Sequence, residues 1–416
     1  MNLRDKLARL SGVGPSRVDP DTRWQNEFGG GLGSPASVGP RSSILPGIVE
    51  QTPLGPIRLI ESYFGLDDVH GTGRIGAAYG GDGSILAALA LQPELADVAP
   101  QGMLYLDTET TGLAGGTGTL PFLTGLSWYD GKQFVIQQAM VMGYGQEEPL
   151  LALLSERLAN ASCIVSFNGK SFDWPLLRSR FVMYRLPVPE PPPHLDLLHC
   201  IRRVSKRRLA SFRLVALERA LLGYTRVGDV DGSEIPGIYF EHIHTGEAGL
   251  MPAVIEHNRL DLLAMPALLG WLVDRWKGSP HNIDAQDLMG FASIAERSGQ
   301  TDRAQAFARA AIESGHDMSA GEARIFLAKR ARRDRAYDRE VDHLLAAIQL
   351  GASPWVDHAH LRLAITYEHT YKCMERALKH ALLCGRVEEY DGHQRRLRRL
   401  TRRMEGPPLE ASVDRE

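Results

Sequence analysis

The sequence has 416 residues, of which 44% are hydrophobic and 23% are charged, and its formal net charge is -3. This length predicts two or three domains, and the near-neutral charge excludes a protein that coats nucleic acid through overall basicity. The four cysteines are scattered without a C-x-x-C pair, which argues against a disulfide framework or a zinc finger and favours a reducing cytosol. Because the early apolar runs are too short for a signal peptide or a membrane span, we expect a cytoplasmic protein without membrane contact.

The N-terminal part of the chain carries little chemistry. Residues 12–46 are rich in Gly, Pro and Ser without an apolar period, and we expect residues 1–46 to form a flexible N-terminal segment. Residues 47–100 contain two short apolar runs around "PLGP" and the run "SILAALALQPEL". These patterns predict an accessory region made of a small β-hairpin and a short helix.

Residues 101–277 show the alternation of strands and helices that is typical of an α/β domain. The buried strand "GMLYLDTE" is followed by two strands around Asp130-Gly131, the helix "EEPLLALLSERLA", the strand "SCIVSFNG" and then mostly helices. This order predicts a mixed sheet flanked by helices. Residues 281–404 are helical throughout and form three pairs of roughly 35 residues, similar to a tetratricopeptide-like array. We expect the tail, 405–416, to be disordered.

Two carboxylates stand at the end of the first buried strand of this domain. Asp107 and Glu109 are two positions apart, so both point to the same face of the strand. Two close carboxylates repel each other unless positive charge lies between them, and divalent metal ions with oxygen ligands are the usual solution. Taken alone, the pair is equally typical of an exposed strand end with two solvated acids.

Two further elements carry acids in a suggestive order. In "SFNGKSFD", a buried strand turns at Asn168 and leads to Asp173 in the first turn of a helix. In "EHNRLDLL", His257 and Asp261 are four residues apart and share one helix face. Each has an ordinary explanation, because an acid complements the helix dipole at an N-terminus and a His–Asp pair is common on surfaces.

Together, D-x-E, N-x-x-x-F-D and a ring residue four positions before a helical Asp resemble the exonuclease motifs of the DEDD superfamily. The flanking "TTGLAGGTGTLPFLTGL" and "FNGKSFDWPLLRSR" are similar to the YprB-type ribonuclease H-like family. The resemblance implies a ribonuclease H-like fold with a mixed five-stranded sheet, followed by tetratricopeptide-like repeats. An acidic calcium site is disfavoured, because the sequence has no EF-hand spacing.

The resemblance further implies a two-metal hydrolase that uses Mg²⁺ or Mn²⁺. Asp107 would bridge both ions, Glu109 and Asp261 would hold the ion that activates water, and Asp173 would act on the second ion. His257 would orient or deprotonate the attacking water. The sequence departs from the family at this position, because His257 has the spacing of the catalytic tyrosine and Glu256 stands where the catalytic histidine is expected.

Basic, glycine and aromatic residues beside these motifs are candidates for holding nucleic acid. Residues 202–213 carry six basic side chains in twelve, which fits either a phosphate-gripping surface or a solvated helix face. The glycines of "GLAGGTGT" would let a backbone approach the ions, and Trp174 could stack a terminal base. The candidate contacts are Thr110, Gly112, Asn168, Trp174, Arg203, Lys206, Arg207, Arg208, Arg213 and Asn258.

We therefore expect a metal-dependent 3′→5′ exonuclease that acts on single-stranded DNA or RNA and meets a protein partner through its repeats. The direction comes from the resemblance, whereas the residues themselves indicate only metal-assisted phosphodiester hydrolysis. The alternative is a nucleic-acid-binding adaptor with a weak or inactive nuclease fold. The arginine-rich segment "HQRRLRRLTRR" near the C-terminus could bind RNA or an acidic partner, or could serve as an amphipathic capping helix.

Overall fold

The computed structural model describes residues 44–112, 118–385, 387 and 389–405. The predicted flexible segment 1–46 and the predicted tail 405–416 lie almost wholly outside the described residues. Most of the glycine-rich loop, 113–117, lies outside them as well. None of the described helices is long and apolar enough to span a lipid bilayer.

A mixed sheet of seven strands, in the order β1-β2-β7-β6-β5-β8-β9, organises the first part of the described chain. Its strands are β1 (Ile48–Thr52), β2 (Gly55–Phe64), β5 (Met103–Thr110), β6 (Pro121–Tyr129), β7 (Phe134–Val141), β8 (Cys163–Ser166) and β9 (His194–Asp196). β8 runs parallel to β5 and β9 runs parallel to β8, whereas the other neighbours are antiparallel. The small strands β3 (Val69–His70) and β4 (Gly73–Arg74) form a separate pair.

The mixed sheet is confirmed: residues 101–277 supply the five expected strands, β5 to β9, and the N-terminal hairpin adds two more. The predicted N-terminal hairpin does form, as β1 and β2, and it extends the sheet instead of forming a separate layer. β2 pairs with β7 along its length, from Ile57 opposite Val141 to Phe64 opposite Phe134. The hairpin covers what would otherwise be an open sheet edge, which is a common site of aggregation.

Helices pack on both faces of the sheet. They are α1 (Gly83–Ala90), α2 (Glu148–Ala159), α3 (Asp173–Met183), α4 (Leu197–Ser205), α5 (Leu214–Leu217), α6 (Ile235–Thr245) and α7 (Met251–Lys277). Alternate residues of β5 enter different cores, Tyr105 on one face and Leu106 on the other. A strand covered on both faces reads as a continuous apolar run, which explains why "MLYL" does not alternate.

The C-terminal part is entirely helical in the residues that the structure describes. Its helices are α8 (Ala285–Arg297), α9 (Thr301–Glu313), α10 (Asp317–Arg333), α11 (Tyr337–Gln349), α12 (Trp355–His369), α13 (Met374–Leu383) and α14 (Tyr390–Glu405). Phe291 and Phe307 stack with ring centroids 5.4 Å apart, and both belong to the same core as Tyr105. The all-helical region is confirmed, while its tetratricopeptide-like character stays a prediction.

Candidate metal and catalytic site

Strand β5 delivers two carboxylates to one edge of the sheet. Asp107 and Glu109 lie beyond its fully buried first half, and β8 ends beside them because Leu106 pairs with Ser166 in parallel register. Parallel strands present their carboxyl ends at the same edge, so the turn after β8 brings α3 to the acids of β5. This topology brings the predicted motifs of β5 and α3 together.

Asp173 is the first residue of α3, and Thr108 fixes its carboxylate. The Thr108 hydroxyl donates a hydrogen bond to Oδ1 of Asp173. A Cβ atom at Gly169 would lie 2.6 Å from Oγ of Ser166 and 2.9 Å from Oδ2 of Asp173, so this turn has room only for glycine. The tight turn therefore places the Asp173 carboxylate close to β5.

Asp196 holds the same turn from the neighbouring strand β9. Its carboxylate accepts hydrogen bonds from the backbone N–H groups of Asn168, at 2.9 Å, and Lys170, at 3.3 Å. It also caps α4 through the N–H of Leu198 at 3.1 Å. The sequence analysis did not single out Asp196, although an Asp directly before a helix is an N-cap signal.

Helix α7 supplies His257, Asn258 and Asp261. The side chain of Asn258 is fully buried, and its amide donates a hydrogen bond of 2.7 Å to Oδ2 of Asp107. Gln138 donates in turn to Oδ1 of Asn258 at 2.9 Å. A Cβ atom at Gly125 would lie 2.3 Å from that same oxygen, so the glycine lets α7 approach β6 closely.

A buried arginine that the sequence analysis missed lies beside Asp261. The guanidinium of Arg226 donates to Oε2 of Glu218 at 2.8 Å, to Oδ2 of Asp229 at 3.2 Å and to Oδ1 of Asp261 at 2.5 Å. Burial alone would lower the pKa of Arg226, but Asp261 and Glu218 outweigh it and raise that pKa. The segment "GYTRVGDVDG" has the composition of an ordinary loop, so the local sequence does not predict that Arg226 lies in the site.

His257 lies between two carboxylates. Its Nδ1 atom is 2.7 Å from Oδ1 of Asp229, and its Nε2 atom is 3.7 Å from Oδ2 of Asp261. Burial disfavours the imidazolium, but Asp261 and Asp229 together raise the pKa of His257 to about 10. Without a metal ion, His257 is therefore a cation at neutral pH.

The carboxylates of this site titrate abnormally. Burial, followed by the charges of Asp261 and Glu109, raises the pKa of Asp107 well above its usual range. Burial also raises the pKa of Glu109 to about 8, against the opposing effect of His257. The pKa of Asp173 rises to about 6, because burial outweighs the hydrogen bond from Thr108. Such shifts mark negative charge that lacks compensation.

These residues fit divalent cations. Glu109, His257 and Asp261 each offer one ligand atom, and these atoms lie within 4.8 Å of one another. Asp107 is coupled electrostatically to Glu109 and Asp261, and Asp173 contacts the same strand through Thr108. Oxygen-rich sites of this kind bind Mg²⁺ or Mn²⁺, and a cation would supply the missing compensation.

The residues predicted to contact nucleic acid differ in how exposed they are. Thr110 bonds to the carbonyl of Gly112 at 2.8 Å, and Asn168 has a left-handed φ of 67° in the turn before α3. Trp174 packs against the core, whereas its neighbour Phe172 is 56% exposed. Asn258 is fully buried, so a nucleic-acid strand cannot reach it, and that expectation is corrected.

The basic segment 202–213 is used partly for holding the chain together. Arg207 binds Glu322 on α10 at 2.5 Å, and Arg208 binds Asp287 on α8 at 2.6 Å. Lys206 and Arg213 are exposed, and Arg203 is partly buried. These ion pairs tie α4 to the helical region, so Arg207 and Arg208 do not offer free guanidinium groups.

The C-terminal arginines also serve packing. Arg396, Arg399 and Arg403 surround the buried carboxylate of Glu368, with Arg399 at 2.7 Å. The hydrogen bond and charge of Arg399, together with the charges of His369 and Arg396, lower the pKa of Glu368 against the opposing effect of burial. These three contacts support the capping-helix interpretation of α14.

Comparison with known proteins identifies the class of this domain. Residues 104–273 match the family model RNase_H_2 of the RNase_H superfamily, so this part of the chain is a ribonuclease H-like domain. A stretch of 169 residues is 35% identical to the protein described as "Uncharacterized protein YprB" of Bacillus subtilis (strain 168), and it covers 40% of each chain.

The chain therefore spans less than half the length of this curated relative. Among solved structures, the family B DNA polymerase from the hyperthermophilic archaeon Pyrobaculum calidifontis is similar over 50% of this chain and 28% of its own. That similarity has a sequence identity of 13% and a TM-score of 0.32. The family match therefore concerns residues 104–273.

Proposed function

We propose that this chain is a 3′→5′ exonuclease that cleaves single-stranded DNA or RNA with two divalent metal ions, Mg²⁺ or Mn²⁺. The observation that carries the proposal is the convergence of Asp107, Glu109, Asp173 and Asp261 from β5, α3 and α7. Burial and the neighbouring carboxylates raise the pKa values of Asp107, Glu109 and Asp173, which indicates negative charge that His257 and Arg226 do not fully compensate. The direction of attack and the preference for single strands rest on the DEDD-like motif order.

The four carboxylates would hold the ions, with Asp107 between the other acids. Bound divalent ions stabilise negative charge on phosphoryl oxygens and lower the pKa of an attacking water. The chain itself positions the acids, because Thr108 donates to Asp173 and Asn258 donates to Asp107. These hydrogen bonds preorganise the carboxylates, so less reorganisation is needed during the reaction.

The nucleic-acid strand would lie across the carboxyl edge of the sheet. Thr110 and Gly112 border this edge after β5, and Asn168 borders it after β8. Lys206 and Arg213 would contact phosphates, because both are exposed, and the ion pair of Arg213 with Asp231 at 3.5 Å is itself exposed and weak, unlike those that hold Arg207 and Arg208. Phe172 replaces Trp174 as the better base-stacking candidate, since its ring is the exposed one.

End-labelled substrates test this function. Single strands of DNA and RNA, labelled at the 3′ or the 5′ end, are incubated with Mg²⁺, with Mn²⁺ or with chelator. A 3′→5′ exonuclease shortens 5′-labelled strands progressively and releases the 3′ label at once. Products that form in chelator, or that persist in Asp107→Asn, would contradict a metal-dependent site built on Asp107.

One observation favours a second candidate, a nucleic-acid-binding adaptor with a weak or inactive nuclease fold. Arg226 already occupies Oδ1 of Asp261, one of the proposed metal ligands, and His257 stands in the spacing of a tyrosine. An adaptor would bind labelled strands in chelator and in either metal without shortening them. The same assay therefore separates the two candidates.

A further inference from the structure

The two ring nitrogens of His257 face different partners. Nδ1 lies at hydrogen-bond distance, 2.7 Å, from Oδ1 of Asp229. Nε2 lies 3.7 Å from Oδ2 of Asp261, which is too far for a hydrogen bond. A histidine whose Nδ1–H is held by a carboxylate presents Nε2 to a metal ion, which displaces the Nε2 proton when it binds, and this arrangement is common around metal-binding histidines.

Glu109 points into the same space without a partner of its own. It is only 9% exposed, and no described residue gives its carboxylate a hydrogen bond or ion pair. A largely buried carboxylate without a protein partner is costly unless water, a proton or a cation compensates it. The ligand atoms of Glu109, His257 and Asp261 lie within 4.8 Å of one another. Metal–ligand bonds of about 2.1 Å place ligand atoms roughly 3–4.2 Å apart, so small adjustments close this site.

Arg226 orients the two carboxylates that flank His257. Its guanidinium donates hydrogen bonds to Oδ1 of Asp261 and to Oδ2 of Asp229. The second oxygen of Asp261, Oδ2, is then available to an ion, and Oδ1 of Asp229 binds the imidazole. Glu218 anchors the guanidinium from behind and is itself held by His70 at 2.6 Å. Because the Arg226 side chain is only 2% exposed, this brace is fixed by packing.

We propose that His257 is a metal ligand and not the base that deprotonates water, and that Asp229 and Arg226 are positioning residues that aim it. Glu109, His257 and Asp261 then form a mixed nitrogen and oxygen site. Imidazole nitrogen suits transition metals, whereas Mg²⁺ prefers oxygen ligands, so the site discriminates against Mg²⁺ in favour of transition-metal ions, for which paramagnetic Mn²⁺ is the probe. The inference rests on the proposed function only for the presence of a divalent ion.

Pulsed electron paramagnetic resonance of bound Mn²⁺ tests the inference without cleavage. The full chain is loaded with one equivalent of Mn²⁺, with natural or ¹⁵N-labelled histidine. Direct ligation by imidazole gives a nitrogen coupling that changes with the isotope. We expect this coupling in the wild type, its loss in His257→Gln, and its retention in the exposed control His281→Gln.

Binding constants provide the second measurement. His257→Gln is expected to lower Mn²⁺ affinity at least about tenfold while changing Mg²⁺ affinity much less. Asp229→Asn keeps the imidazole and is expected to lower Mn²⁺ affinity about 10–100-fold with the nitrogen coupling retained, as for other partners of metal-bound histidines. This variant decides the case if His257→Gln fails to fold.

Each outcome separates the inference from the proposed function. A wild type without histidine coupling overturns the inference, as does Asp229→Asn with unchanged Mn²⁺ affinity. Cleavage in Mg²⁺ without that coupling would keep the nuclease and make His257 a candidate base again. Histidine coupling without cleavage of any strand would keep the metal site and remove the exonuclease.

Discussion

The side-chain amide of Asn258 donates a hydrogen bond of 2.7 Å to Oδ2 of Asp107, from the middle of α7 to the end of β5. The donor is fully buried, and Gln138 fixes its orientation by occupying its amide oxygen. Asn258 therefore acts through Asp107 and not through a nucleic-acid strand. Amide orientation follows here from the hydrogen-bond network, because only the nitrogen can donate to a carboxylate.

Replacing Asn258 with Asp tests this role at nearly constant volume. The variant keeps an oxygen for Gln138 but loses the donor to Asp107. Because a hydrogen bond to a charged group contributes about 1.5–3 kcal/mol, we expect kcat to fall about ten- to a hundredfold. The measurement is kcat at saturating strand and metal. The exposed substitution Asn160→Asp is the control, and equal kcat values for the two variants would refute the role.

Glu109 is expected to make the metal-free protein less stable as pH rises. Its pKa is about 8 in the folded chain, against an ordinary value of 4.5. Between these values the folded state holds a proton that the unfolded state has lost, so the free energy of unfolding falls with increasing pH. In chelator, Glu109→Gln should reduce this slope by up to about 1.4 kcal/mol per pH unit.

Urea unfolding between pH 5 and 8 measures the slope. The exposed control Glu156→Gln should leave it unchanged, and Mn²⁺ should flatten it in the wild type by binding the ionised carboxylates. A slope that is identical in Glu109→Gln and wild type would show that Glu109 ionises normally.

A histidine pair in the helical region is expected to limit acid stability. The Nδ1 atoms of His360 and His380 lie 2.9 Å apart. When both rings are neutral, one Nδ1–H can donate a hydrogen bond to the other Nδ1. Burial and then His360 lower the pKa of His380 to about 4, from 6.5. The unfolded state binds a proton first as pH falls, so stability is full above pH 6.5 and is lost towards pH 4.

The urea concentration at the midpoint of unfolding should therefore differ less between pH 7 and pH 5 in His380→Gln than in the wild type. The exposed variant His244→Gln should keep the wild-type difference between the two pH values. If His380→Gln were as acid-sensitive as His244→Gln, the pair would not be the source of the effect.

Gly290 controls the contact between the two parts of the chain. A Cβ atom at this position on α8 would lie 2.2 Å from the backbone oxygen of Val204 on α4. Backbone atoms cannot move aside cheaply, so Gly290→Ala should cost about 1–3 kcal/mol. Gly237→Ala, in α6 with nothing within 4 Å, should be neutral or slightly stabilising. Thermal unfolding of both variants measures the difference, and equal melting temperatures would contradict the close contact.

Regular patterns were sufficient to predict the main elements and the acidic residues. Asp107, Glu109, Asp173 and Asp261 follow buried strands or share a helix face, and the structure brings their elements to one edge of the sheet. The five strands expected for residues 101–277 are present, whereas the joining of the predicted hairpin to their sheet depends on the tertiary pairing of β2 with β7. Local residue propensities do not predict which edge of a sheet a hairpin will pair with.

The residues that hold these acids were harder to predict from the sequence. Arg226 and Asp229 lie in a loop without period, and their contacts with Asp261 and His257 span 35 and 28 residues. Arg207 and Arg208 look like any basic patch until Glu322 and Asp287 are placed opposite them. Sequence spacing predicts which residues share one face of a helix or strand. Ion pairs between distant elements depend instead on how those elements pack.

The most direct test of the central claim is the rate of nucleotide release from a 5′-labelled single strand by wild type and Asp107→Asn, each in Mn²⁺ and in chelator. Because bound ions contribute several kcal/mol of transition-state stabilisation, Asp107→Asn should release nucleotides at least about a hundredfold more slowly. Chelator should reduce the wild type to the same background. Release that is unaffected by Asp107→Asn, or that continues in chelator, would contradict a metal-dependent nuclease centred on Asp107.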